Sequence, residues 1–208
     1  MNIGFLVDAS ASVELSGEGN FNKSLAFVAN LIKSFSITRN ETHVGMVVFS
    51  DNPQLALDFK RGDALEDAVI AVYNASYANR GRQTGKALTY VRRYLFSESV
   101  LQRHVPNYLV FLTSGTSYDL TKTPASLLRG NNITVFATAV GSDYDVEELK
   151  YVTGDNGTRV YKTSFSKLGD VGTVLKMEIC KSKCRRYELH YFYIGQYYVR
   201  GKSPTNKT

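Results

Sequence analysis

The chain has 208 residues, 43% of them apolar, which is enough to bury one sizeable core. Its formal charge of +6 is confined to one end: residues 181–208 hold seven basic residues against Glu188, leaving 18 of each sign in the first 180 residues. A neutral body excludes the usual electrostatic footprint of a nucleic-acid binder, and runs such as Tyr108 to Leu112 and Ile133 to Val140 are too short for a membrane-spanning helix.

Ile3 to Val7 is a near-continuous apolar run that ends in Asp8, with Ser10 and Ser12 following at alternate positions. Such a run predicts a strand covered on both faces, as in a parallel α/β sheet. Open sheets of this kind bind ligands outside the carboxyl ends of their strands. One carboxylate and two hydroxyls form a hard, all-oxygen set that suits Mg²⁺, Mn²⁺ or Ca²⁺ better than zinc or copper.

Val13 to Asn20 reads as a loop, and Phe21, Leu25, Val28, Leu31, Ile32 and Phe35 mark one face of a helix. His43 to Phe49 predicts a second strand. The turn Asp51-Asn52-Pro53 joins it to an alternating segment, Gln54 to Phe59, as an antiparallel edge strand. Asp63 is placed to N-cap a helix carrying Leu65, Ala68, Val69 and Val72. The loop Asn79 to Gly85 leads into a helix with Ala87, Leu88, Val91, Leu95 and Phe96 on its apolar side. Tyr108 to Thr113 is a further buried strand, with Ser114 to Ser117 as its exit loop. A short helix from Pro124 to Leu128, a strand from Ile133 to Val140, a helix around Val146, Leu149 and Val152, a strand at Arg159 to Tyr161 and a helix from Leu168 to Ile179 complete the pattern.

This alternation predicts an α/β fold: a doubly wound, mostly parallel six-stranded sheet with one antiparallel edge strand and helices on both faces, in the Rossmann manner. The first strand is expected near the centre, so the loops after the first and third buried strands converge. Asp8, Ser10 and Ser12 would then meet Thr84 and Ser114 on one rim. We expect one domain over residues 1–180. Residues 181–208 form a basic, aromatic-rich tail, disordered or the start of a further segment, and offer a possible polyanion contact.

Cys180 and Cys184 lack a nearby histidine or second cysteine pair, which argues against zinc. They are disulfide candidates, with each other or with a cysteine upstream. N-x-[ST] sequons at Asn22, Asn40, Asn74, Asn132, Asn156 and Asn206 are glycosylation candidates and favour a secreted protein. No basic, apolar leader precedes the first strand, so secretion would need a signal peptide that this sequence does not contain.

Val7-Asp8-Ala9-Ser10-Ala11-Ser12 resembles the D-x-S-x-S metal-ion-dependent adhesion motif of von Willebrand factor type A domains, as found in integrin inserted domains, matrilins and collagen VI. Val44 to Ser50 and Ala139-Val140-Gly141 are similar to two further strands of that family, and the resemblance covers about residues 2–180. It implies a secreted, non-enzymatic adhesion module in the extracellular matrix. Asp8, Ser10, Ser12 and Thr84 would hold Mg²⁺, or Mn²⁺ or Ca²⁺, whose coordination sphere a glutamate or aspartate of a matrix or cell-surface partner completes. One departure is Thr113-Ser114-Gly115, where the family usually has Thr-Asp-Gly. Ser114 could reach a metal only through water, and loss of that carboxylate weakens the site.

Two other readings compete: a metal-independent structural matrix domain, such as one associated with a mineralising tissue, and an α/β phosphotransfer or hydrolytic enzyme with Asp8 at its centre. The enzyme reading lacks a paired acidic cluster and a phosphate cradle, and His43, His104 and His190 are scattered. Arg61-Gly62-Asp63 spells an integrin-recognised tripeptide but is explained by a turn. Arg80 and Arg82 are expected to frame the rim, where they help to hold acidic ligands, or to lie in a solvated loop.

Overall fold

The computed structural model describes residues 1–181. Six strands, β1 (Asn2–Asp8), β2 (His43–Phe49), β3 (Pro53–Leu57), β4 (Asn107–Gly115), β5 (Ile133–Asp143) and β6 (Val160–Thr163), form one sheet in the order β3-β2-β1-β4-β5-β6. All neighbours are parallel except β2 and β3, the expected antiparallel edge. β1 lies between β2 and β4, so the winding reverses beside it.

The two-residue period of a strand sends alternate side chains to opposite faces. Ile3, Phe5, Val7, Val44, Met46, Val48, Val110 and Leu112 face one core, which helices α2 (Asn20–Lys33), α3 (Leu65–Tyr73) and α8 (residues 168–181) cover. Leu6, Val47, Phe49, Leu109 and Phe111 face the other, beneath α4 (Thr84–Tyr90), α6 (Lys122–Gly130) and α7 (Val146–Thr153). Burial of central strands on both faces is what made them read as continuous apolar runs.

Several local elements differ from expectation. Ala11–Leu15 forms a short helix, α1, where a loop was expected, and Glu98–Leu101 forms another, α5. Asp63 does not cap α3. It lies in a 3₁₀ turn, Arg61–Asp63, and α3 starts after Ala64 without a side-chain cap. Gly62 in that turn is pressed on β2: a Cβ there would lie 1.7 Å from the Val44 carbonyl oxygen. The Arg61-Gly62-Asp63 tripeptide is therefore a packed turn.

α4 ends in a π turn, Val91–Leu95, closed by the Phe96 N–H donating to the Val91 carbonyl at 2.8 Å. The widened turn brings Leu95 and Phe96 onto the sheet over Gly4 and Gly45, which face each other across β1 and β2. A Cβ on Gly45 would lie 2.6 Å from Leu95 Cδ1, and one on Gly4 would lie 2.9 Å from Phe96 Cε2. These glycines leave a trough that the two side chains fill.

His43 opens β2, at the opposite end from the rim. It is held by the Arg39 carbonyl at 2.8 Å and by Arg103, a structural role. Among the described residues no helix is long and apolar enough to cross a membrane. The tail beyond residue 181, with Cys184, Asn206 and His190, lies outside the described residues, and Cys180 is half-buried at the end of α8.

Candidate functional site

Three loops meet above the C-terminal ends of β1 and β4. The first runs from Asp8 into α1, the second spans residues 76–83 and enters α4, and the third leaves β4 at Ser114 and Gly115. The second lies along the first through a Ser10–Arg80 bridge, with the Ala11 N–H donating to the Arg80 carbonyl at 2.8 Å and the Asn79 N–H to the Ala9 carbonyl at 3.0 Å. The third meets the second where the Tyr118 N–H donates to the Arg82 carbonyl at 2.8 Å.

Asp8, Ser10 and Ser114 are buried at the junction. Asp8 Oδ1 accepts the Ser10 N–H at 2.9 Å, which turns the chain into α1. Asp8 Oδ2 accepts the Ser114 N–H at 2.9 Å and the Ser114 hydroxyl at 3.0 Å. The Thr113 hydroxyl stands 3.2 Å from the same oxygen.

Ser10 and Ser12 hydroxyls lie 3.0 Å apart, as do those of Ser12 and Ser114. A hydroxyl has one proton to give. Ser114 gives its proton to the Asp8 carboxylate, so Ser12 must donate to Ser114 and Ser10 to Ser12. The direction of the relay, Ser10 to Ser12 to Ser114 to Asp8, follows from the carboxylate at its end.

The cation at this junction is Arg82. Only 1% of it is exposed. Its Nη1 donates to Ser12 Oγ at 2.9 Å and stands 3.4 Å from Ser114 Oγ and 3.6 Å from Asp8 Oδ2. Its Nε donates to the Thr116 carbonyl at 3.0 Å, and Nη2 is 3.8 Å from Asp143 Oδ2 at the end of β5. Tyr118 stacks against the guanidinium, 5.6 Å from ring centroid to Cζ. Arg82 does stand at the rim, but the alternative of a solvated loop is corrected for it, because the guanidinium is buried against Ser114 and Asp8. Arg80 does stay exposed.

Thr84 is fully buried at the start of α4, and its position is fixed from a distance. α4 has no N-cap side chain of its own. Instead, the Thr84 N–H donates to Ser117 Oγ at 3.0 Å, and the Gly85 and Lys86 N–H groups donate to Asp119 at 2.7 and 2.8 Å. Thr84 Oγ1 is buried without a hydrogen-bond partner. Glu148 accepts the Ser117 N–H at 3.0 Å. Desolvation pushes its carboxyl above the usual range, and that hydrogen bond and Arg82 only partly offset it.

A family model, the von Willebrand factor type A domain, matches residues 2–173. The chain belongs to that family. It is 29% identical over 189 residues to the human collagen alpha-5(VI) chain, with 90% of this chain covered, and 34% identical over 140 residues to bovine cochlin, with 67% covered. It spans only 7% of the length of that collagen and 25% of cochlin. Proximal thread matrix protein 1 from the mussel byssus shares the fold at a TM-score of 0.79 and 24% identity, covering 84% of this chain and 46% of that one. The type A sheet order puts Asp8, Ser10, Ser12 and Ser114 together as expected, whereas Thr84, at the start of α4, makes no hydrogen bond to them.

Whether these residues fit the divalent metal of type A domains is decided by the oxygens that Arg82 and Ser114 already engage and by the charge of Arg82. Ser12 accepts from Ser10 and Arg82, and Asp8 Oδ2 already takes two bonds from Ser114. The lone carboxylate is neutralised by a buried guanidinium. A divalent ion about 4 Å from that guanidinium would be repelled by roughly 8 kcal/mol at an effective dielectric constant near 20. As arranged, the cluster does not fit a metal alongside Arg82. One departure from the family pattern carried part of the signal in sequence, a serine at position 114 in place of an acid; the part played by Arg82 had no such signal.

Proposed function

We propose that this domain is an extracellular protein-interaction module that binds a matrix or cell-surface protein through the rim above β1 and β4. The observation that carries this reading is the exposure of three large apolar side chains on the loops leaving those strands and on α1. Leu15, Tyr118 and Leu120 are 85%, 73% and 87% exposed. Isolated apolar side chains on a surface are ordinary, whereas a group beside a site points to a partner. Aromatic anchors of this kind are enriched at interfaces.

The relatives support the setting, since collagen chains and cochlin carry similar domains. They support a non-enzymatic role too. Secretion accords with the sequons, because Asn22, Asn40, Asn74, Asn132 and Asn156 are all exposed and therefore accessible to glycosylation.

Two versions of the mechanism differ in the cation. In one, Mg²⁺ held by Asp8, Ser10, Ser12 and Thr84, with Ser114 through water, bridges to a partner's acidic residue. Proximal thread matrix protein 1, solved also with a zinc-occupied MIDAS motif, is a precedent for the metal in that protein. In the other, the rim binds without metal. The place of Arg82 favours the second version.

Surface plasmon resonance against immobilised matrix proteins, fibrillar collagen and fibronectin among them, tests the reading. The variant Leu15→Ser/Tyr118→Ala/Leu120→Ser should lose at least tenfold in affinity with an unchanged circular-dichroism spectrum, and EDTA should leave wild-type binding intact. Undiminished binding by the triple variant would place the interface elsewhere.

A further inference from the structure

We infer that Arg82 is the resident cation of this site: its guanidinium does the work that a divalent metal does in a metal-dependent rim, and it masks a latent metal site beneath. The inference stands whichever partner the rim binds.

Charge is the first ground. A single buried carboxylate, Asp8, faces a single buried guanidinium, so these two buried charges balance without any ion. Ser114 is consistent with this balance. A second carboxylate in its place would leave an unpaired buried negative charge, which is costly.

Connectivity is the second. A metal at such a site ties loops together by drawing oxygens from each. Arg82 does so with hydrogen-bond donors, reaching Ser12 on the first loop and the Thr116 carbonyl on the third while standing on the second itself. Asp143, at the end of β5, comes within ion-pair range. A guanidinium presents five donors in a rigid planar fork and stays protonated at any physiological pH. The tie is therefore permanent and indifferent to chelators or to the local concentration of Mg²⁺.

Shape is the third. Gly115 has no side chain where Arg82 lies, and a Cβ there would come within 2.2 Å of Nη1. On the first loop, Asp8 Oδ1 accepts only one bond and Ser10 Oγ keeps its lone pairs by donating to Ser12, and at the start of α4 Thr84 Oγ1 is buried with no partner. These are hard oxygens of the kind that Mg²⁺ and Mn²⁺ take. Removing Arg82 leaves them beside an uncompensated carboxylate, which is the condition for cation uptake.

Mn²⁺ titration read by the electron paramagnetic resonance signal of free Mn²⁺ tests this on the whole chain. The wild-type protein should show no Asp8-dependent uptake, and its thermal midpoint should be the same in EDTA and in millimolar Mn²⁺. Arg82→Gln should take up one Mn²⁺ at least tenfold more tightly than wild type, and adding Asp8→Asn should abolish that uptake. Wild-type uptake that disappears in Asp8→Asn would overturn the inference, as would a folded Arg82→Gln that binds no more Mn²⁺ than wild type. Should Arg82→Gln fail to fold by circular dichroism, Arg82→Lys keeps the charge and is expected to stay metal-free. Asp8-dependent uptake by that variant would overturn the inference equally.

Discussion

Arg82 lies across Gly115, with Nη1 only 2.2 Å from where a Cβ on that glycine would stand, so the two residues form a cradle and its occupant. Gly115→Ala should push the guanidinium off its oxygens. Overpacking of this kind costs about 1–3 kcal/mol. The loss should be less than additive with that of Arg82→Gln, because either change empties the same cradle. Urea denaturation of the two single variants and the double variant measures the coupling, and strict additivity would show that the contact carries no energy.

Arg82 and Asp8 are both nearly inaccessible, so removing only one of them strands the other. Arg82→Met keeps the apolar stem and deletes the charge, at an expected cost of about 3–5 kcal/mol. Asp8→Asn in the same chain should restore part of that stability by removing the orphaned carboxylate. A double variant less stable than Arg82→Met would mean that the hydrogen bonds of Asp8 outweigh its charge.

Two carboxylates should titrate with opposite effects on stability. Desolvation raises the Glu148 carboxyl. Its folded form therefore holds a proton more tightly than the unfolded chain, and stability is lost as pH rises from about 4.3, the unfolded value, through the folded one. The advantage of Glu148→Gln over wild type should grow with pH across that window.

Asp155 behaves in the reverse sense. Desolvation pushes its carboxyl up, but hydrogen bonds from the Gly157 N–H, Arg159, Thr158 and Thr153 outweigh that and hold it below the usual range. Its contribution is present above about 3.9 and lost as pH falls through the folded value. Asp155→Asn should accordingly be destabilised near neutrality and approach wild type in acid. Urea midpoints between about pH 3 and about pH 7 check both signs.

Gly4 and Gly45 admit Leu95 and Phe96 to the sheet. Gly4→Ala and Gly45→Ala should each lower stability by about 1–3 kcal/mol through overpacking. Truncation of Leu95 to Ala beside Gly45→Ala should recover part of the loss, since the new methyl would then have room. Denaturant midpoints of the single and double variants provide the measure.

The order of strands and helices was legible because burial on both faces leaves a direct trace, as in Ile3 to Val7 and Tyr108 to Leu112. The gathering of Asp8, Ser10, Ser12 and Ser114 was legible from topology, since β1 and β4 are neighbours where the winding reverses. The N-terminus of α3 was misread at Asp63 because the chain used a 3₁₀ turn packed on Val44 before the helix began. The approach to α4 was legible, but its cap was not, since Asp119 lies 34 residues from Gly85.

By itself, then, the sequence determined the α/β class, the edge hairpin and the chemical nature of the rim, because all three depend on periodicity and on residue type at strand ends. Tertiary structure alone decided which cation serves that rim. Arg82 reads as a loop residue, and nothing in its neighbourhood along the chain distinguishes it from exposed Arg80. The direction in which a long side chain turns is set by oxygens and an empty glycine face supplied by β1 and β4, and these come together only when the sheet forms.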